Sequence, residues 1–415
     1  MNDTGGMNTT DSAGGTEATD GGLTAPPAEE AEPPVGRFRP LRKHPLLASA
    51  VAVVVLAAAV TVPLILTGSD DAKPCWRLPA STAALAKDPA AATRALDPGD
   101  YAADTDRAAK LLVPANANVC AADARILGRV VEAATLATGA GKAHTMAQAR
   151  SAYAVAVALD DRHVPVGMAP GVARMLADYV VDASAYSGAD KRATAAAVPP
   201  SMTRPDKNGY TPFGRFLDPR EAHVDFGYSG GAPDEEADPE RLVNSLAADP
   251  EAFAVLYDTY RAYLAYYLER LTSQAGDPDE RPNHSKSGWN QPTDLPDFDL
   301  RHLAEDVGRL MKLRASYARD GTIPDLAAFD ASVRKHTRGA FRPASGQLDT
   351  RPPMGDIADR PAAGPMDSTL MDGRHQLFTV LDGWAKERGV PARRLADIKQ
   401  LMDEWYVDGL WLIAY

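Results

Sequence analysis

Leu46–Leu66 reads LLASAVAVVVLAAAVTVPLIL, and no charge interrupts it. Twelve of its 21 residues are Val, Leu or Ile. A helix of this length rises roughly 31 Å, close to the ~30 Å hydrocarbon core of a bilayer. The run therefore predicts a membrane-spanning helix over residues 45–67. Pro63 falls near its outer end, where a freed carbonyl costs least. A core helix of a globular domain would rarely stay free of charge for so long.

The flanks orient it. Arg37, Arg39, Arg42 and Lys43 precede the run, and Asp70 and Asp71 follow it. Basic residues stay on the cytoplasmic side, so the amino terminus reads as inside and residues 68–415 as outside. A cleaved signal peptide would have a shorter apolar region and a small-residue cleavage site. Here the run is longer, and LTGSDD (Leu66–Asp71) contains no A-x-A site. Residues 1–44 are rich in Gly, Thr, Asp, Glu, Ala and Pro. They cannot bury enough apolar surface to offset the entropy of ordering, so they read as a disordered cytoplasmic tail.

The formal net charge is −12. A nucleic-acid partner calls for a basic footprint, so this balance argues against one. The chain has two cysteines, Cys75 and Cys120, both beyond the apolar run. On an oxidising side of the membrane two such cysteines pair by default, so a Cys75–Cys120 disulfide is expected.

The outer part reads as all-α: an irregular multi-helix extracytoplasmic domain with long loops. Asp-Pro occurs at Asp88–Pro89, Asp97–Pro98, Asp218–Pro219, Asp238–Pro239, Asp249–Pro250 and Asp277–Pro278. Asp suits a helix N-cap and Pro the first helical position. The spacing predicts helices over 79–87, 89–96, 100–112, 119–138, 143–160 and 169–187, with Gly139 and Gly188 as C′ residues. Apolar residues recur at helical spacing in Val172–Tyr186, Phe253–Leu271, Leu300–Tyr317 and Leu395–Trp405. Period-2 alternation is nearly absent, so strands should be few. Three irregular stretches break the helices, at 189–237, 276–298 and 340–366. Aromatics in the first two (Tyr210, Phe213, Phe216, Phe226, Tyr228, Trp289, Phe298) predict that those pack on the helices, whereas the third reads as mobile.

Several groups suggest chemistry. His302, Glu305 and Asp306 fall at i, i+3 and i+4, a spacing that could present metal ligands, or simply a polar helix face. His223 and Asp225 share the aromatic loop and could serve acid–base work, or hold that loop together. Asp372 with His375 forms a similar pair on a late helix. Asp277–Asn283 has the spaced oxygens of a calcium loop, but Pro282 stands where the glycine is needed. No P-loop, G-x-G-x-x-G or H-E-x-x-H pattern occurs. No cofactor or metal is expected on these grounds. Tyr257 and Tyr266 fall off the main stripe of their helix and could face a loop or partner. The apolar C terminus, Trp405–Tyr415, is expected to dock in the core.

These readings converge on a membrane-anchored bacterial envelope protein whose helical domain holds a partner protein or glycan without catalysing a reaction. The alternative is an envelope hydrolase acting on a cell-wall or glycan substrate, with His223, Asp225 or the His302–Asp306 group around a cleft.

Overall fold

The computed structural model describes residues 75–100, 105–113, 118–137, 142–160, 162–165, 167–186, 195–205, 210–228, 237–271, 295–336 and 372–411. Internal contacts divide the chain into Met1–Ser69 and Asp70–Tyr415, and every described residue belongs to the second unit. The tail 1–44, the apolar run, Gly139, Gly188, the Asp277–Asn283 loop, Trp289 and the stretch 340–366 lie outside the described residues. Among the described residues no helix is long and apolar enough to cross a membrane.

Helix accounts for 70% of this region and strand for 4%, so the fold is all-α. The helices are α1 (Ala80–Leu85), α2 (Pro89–Leu96), α3 (Thr105–Leu112), α4 (Ala121–Thr135), α5 (Met146–Leu159), α6 (Ala169–Asp178) and α7 (Val180–Tyr186). Then follow α8 (Pro239–Leu246), α9 (Pro250–Arg270), α10 (Leu295–Asp320), α11 (Leu326–His336), α12 (Asp372–Arg388) and α13 (Ala392–Trp411). The stretch read as a loop to residue 298 is already helical from Leu295.

Three Asp-Pro pairs start helices as expected. The carboxylates of Asp88, Asp238 and Asp249 accept from first-turn amides of α2, α8 and α9. Asp97–Pro98 does the opposite: Asp97 ends α2, and its carboxylate receives the Arg150 guanidinium at 2.7 and 2.8 Å. Asp218–Pro219 sits in a turn of the 210–228 segment. Thr145 and Gln148 close a capping box at the start of α5, satisfying two amides that the helix leaves open.

Helix α9 is the centre of the fold and packs against α6, α7, α8, α10, α11 and α12. It is buried almost all the way round, the signature of an interior helix. Tyr257 and Tyr266 are buried with the rest. Tyr257 Oη donates to Gln376 Oε1 (3.2 Å) on α12, and Tyr266 Oη to the Phe216 carbonyl (3.0 Å). Two buried arginines also tie elements together. Arg261 of α9 bonds Gln376 (2.6 Å), and Arg314 of α10 bonds Asp330 of α11 (2.9 Å).

Two helix crossings are closed by glycine. A Cβ on Gly171 (α6) would stand 2.3 Å from the carbonyl oxygen of Gly128 (α4). Where α10 meets α13, a Cβ on Gly308 would stand 2.3 Å from the Tyr406 oxygen, and one on Gly409 2.3 Å from the Glu305 oxygen. At both crossings the backbones meet where any side chain would push them apart.

The disulfide Cys75–Cys120 forms, with Cα atoms 5.0 Å apart. Beside it Trp76 pairs in parallel with Val119, the Trp76 amide donating to the Asn118 carbonyl (2.7 Å). The start of the described chain is thereby stapled to the N-terminus of α4. The strands are two antiparallel pairs, β1 (Ala197–Val198) with β4 (His223–Val224) and β2 (Tyr210–Thr211) with β3 (Gly214–Arg215). They fold the 195–228 segment onto α5, α7 and α9, as its aromatics predicted. At the C terminus Tyr406 and Gly409 are buried, while Trp411 is 76% exposed. Docking therefore reaches Gly409, and residues 412–415 lie outside the described region.

Candidate functional site

The helix expected over 169–187 breaks at Tyr179, and the break organises the polar centre of the molecule. Asp178 closes α6 and Asp182 lies in the first turn of α7. His144, just before the Thr145 cap of α5, reaches between two carboxylates. Its Nε2 meets Asp178 Oδ2 and its Nδ1 meets Glu221 Oε2, both at 2.7 Å. Glu221 Oε2 also accepts the His144 backbone amide (3.1 Å), and Asp178 Oδ2 that of Ala137 (3.3 Å). The Tyr179 ring stacks on the imidazole at 4.2 Å, and its hydroxyl donates to the Thr135 carbonyl (2.9 Å).

A second histidine follows. His223 Nδ1 meets Asp182 Oδ1 (2.7 Å), and its Nε2 meets the Asp218 carbonyl (2.8 Å). All these side chains are buried; His144 is 3% exposed and His223 1%. Burial by itself would strip the proton from His144. The hydrogen bonds from Asp178 and Glu221, with their charges, outweigh it and push the imidazole up to about 10. His223 is raised too: burial opposes the charge, but the charge and hydrogen bond of Asp182 prevail. Each ring thus faces acceptors at both nitrogens, an arrangement that favours the protonated ring with both N–H groups donated.

This decides what His223 and Asp225 can do chemically. A general base needs a nitrogen with an open lone pair within reach of substrate. His223 offers neither the lone pair nor an open face. Asp225 turns its Oδ1 back onto the amide of Gly227 (3.0 Å). His223 braces its segment against α7 through Asp182, and Asp225 holds its own turn, the structural side of the two readings given from sequence.

His302, Glu305 and Asp306 do share one face of α10, but not as a metal-ligand set. Among the described residues no group of three His, Cys, Asp or Glu is placed to hold a metal ion. His302 Nδ1 lies 3.4 Å from Glu305 Oε2, and its ring meets Trp405 of α13 edge-on at 5.8 Å. Arg309 bonds Glu305 (3.2 Å) and reaches across to Glu240 in the first turn of α8. Burial raises Glu305, but His302 and Arg309 outweigh it and hold that carboxyl below the ordinary range. Asp306 goes the other way. Burial, aided by the charges of Glu240 and Glu305 and opposed by Arg309, pushes it up to about 7.

His375 is exposed on α12, and the side chain of Asp372 lies outside the described residues. His144, Asp178, Asp182 and Glu221 escape sequence reasoning. The four-residue spacing of Asp178 and Asp182 within an apolar stripe was the one available signal. It pointed to acids that must be buried, but not to the histidines that meet them.

No protein-family model, curated protein or solved structure matches the chain. The functional reading therefore rests on residues and geometry.

Proposed function

We propose that the protein is a single-pass, membrane-anchored bacterial envelope protein. Residues 1–44 form its cytoplasmic tail and residues 45–67 its membrane helix. Residues 68–415 form an extracytoplasmic domain that holds a partner protein or glycan without turning it over. The observation that carries this reading is the Cys75–Cys120 disulfide, which joins the only two cysteines of the chain soon after the apolar run ends at Leu66. Structural disulfides belong to oxidising compartments. A staple there also ties the segment leaving the membrane to the start of α4, so that a load on the anchor reaches the helical core directly. The non-catalytic part is supported by the two histidines of the polar centre, whose ring nitrogens are all committed to hydrogen bonds.

The topology is tested by adding protease to intact cells. The reading expects loss of the Cys75–Tyr415 portion with the tail protected, and survival of that portion would overturn it. In-cell cross-linking with mass spectrometry tests the binding half. A reproducible envelope partner mapped to residues 200–300 is expected. Self-links alone would turn attention to the hydrolase alternative, for which Asp306 is the candidate general acid.

A further inference from the structure

We propose that the Cys75–Cys120 disulfide is a site of thiol–disulfide exchange with a dithiol protein, which attacks the sulfur of Cys75 and expels that of Cys120. Reduction frees the chain from Cys75 to Asp88 and lengthens the connector to the helical core. Only the identity of that connector as a membrane tether rests on the anchor reading above.

The two cysteines are placed unequally. Cys75 is exposed ahead of α1, whereas Cys120 is 7% exposed. A thiolate attacks the sulfur it can reach, and exchange is faster when the other sulfur leaves as a stable thiolate. Cys120 is suited to be that leaving group. It is the N-cap of α4, a helix of 15 residues, and its side chain makes no cap hydrogen bond in the disulfide. A thiolate formed there meets the positive end of the helix and the amides of its first turn. Asp123 in that turn opposes it, but the Arg77 guanidinium stands 3.8 Å from the Asp123 carboxylate and offsets part of its charge.

Atoms and electrons balance between the two proteins. One thiolate of the dithiol bonds to Cys75 Sγ as the Cys75–Cys120 bond breaks, and the electron pair of that bond goes to Cys120 Sγ. The second thiolate of the dithiol then closes onto the first and releases Cys75. Two electrons pass to this chain, the dithiol becomes a disulfide, and its two protons end on Cys75 and Cys120.

The freed segment is otherwise lightly held. The Trp76 amide donates to the Asn118 carbonyl (2.7 Å), and the Trp76 carbonyl accepts from the Cys120 amide (3.1 Å). The Arg77–Asp123 ion pair is exposed on the arginine side and adds little. Helix α1 buries no residue, and Leu78 and Leu85 pack on the core only partly buried. Helix α2 is the first with buried side chains, Ala92 and Leu96. With the disulfide closed the grip on the core begins at Cys75, and with it open at Pro89. The difference is up to roughly 50 Å of extended chain.

The purified full-length chain, kept folded, is mixed with reduced glutathione, quenched with acid, alkylated and mapped by mass spectrometry. Glutathione should be found on Cys75 and the alkyl group on Cys120, at least about tenfold over the reverse. In urea the preference should vanish, because both sulfurs are then open. Glutathione on Cys120, an equal division in the folded chain, or no exchange without urea overturns the proposal. Release is read by amide hydrogen exchange after dithiothreitol. Protection over Trp76–Asp88 should fall about tenfold while that of α4 persists. Unchanged protection there overturns the freed connector. Both readouts use purified protein, so they stand apart from the protease test of topology on cells.

Discussion

Two ionic centres among the described residues are built on opposite rules. In the α4–α7 half, His144 sits between Asp178 and Glu221 with both nitrogens bonded, and its charge is favoured. In the α8–α10 half, Asp306 sits near Glu240 and Glu305, with Arg309 already engaged, and its charge is disfavoured. Burial penalises charge in both places. What differs is whether opposite charges with good hydrogen-bond geometry outweigh it. A buried charge that meets partners on both sides becomes a brace, and one that meets rivals becomes a point of weakness.

The largest expected effect comes from breaking the brace. His144→Leu leaves Asp178 and Glu221 buried without their cation, which should cost about 3–5 kcal/mol in urea unfolding near neutral pH. The pH dependence follows from the shift. The folded imidazole titrates at about 10 against 6.5 unfolded. Its contribution is therefore complete below the unfolded value and is lost as pH rises through the folded one. Wild-type stability should decline across that window and the His144→Leu curve should be flatter. Equal slopes would show that the histidine is not the brace.

Next come the glycine crossings, one in each half. Gly171→Ala and Gly409→Ala each drive a methyl into a backbone carbonyl and should cost about 1–3 kcal/mol. Gly383 on α12 has open space where a Cβ would go. Gly383→Ala should therefore stabilise, by about 0.5–1 kcal/mol, since alanine favours helix. Thermal unfolding of the three variants compares them, and a shared sign would refute the distinction.

The centre of weakness predicts the opposite sign. Asp306 has a folded value of about 7 against 3.8 unfolded, so its cost is absent in acid and complete above neutrality. Asp306→Asn should stabilise the protein above neutral pH by about 1–2 kcal/mol, after allowance for screening at a partly exposed site. It should change little near pH 4. Denaturant midpoints at the two pH values check this, and a loss of stability above neutrality would show that the carboxylate is welcome there.

Helix starts and apolar stripes were readable because their causes are local. Asp88, Asp238 and Asp249 cap through amides two or three residues away. The Phe253–Leu271 stripe repeats at the period of the helix itself. Cysteine pairing was readable for another reason: only one partner was available. The break at Tyr179 was not readable, because it depends on His144, Thr135 and Ala137, more than thirty residues upstream. Nor was the role of Tyr257 and Tyr266, since a helix wheel cannot say that a helix is enclosed on every side.

The candidate site divides along the same line. Residue types and spacing placed His302, Glu305 and Asp306 on one helical face and His223 and Asp225 on one loop. Whether those groups are ligands, bases or braces depends on what faces them across the chain. Glu240 arrives from α8, Asp182 from α7 and the Asp218 carbonyl from a turn. Local chemistry was enough for the all-α class, the caps and the disulfide, because hydrogen bonds to near neighbours and periodic burial act within a few residues. Protonation and glycine crossings had to wait for the packed molecule. Desolvation, opposite charge and backbone approach are set by residues distant in the chain and adjacent only after folding.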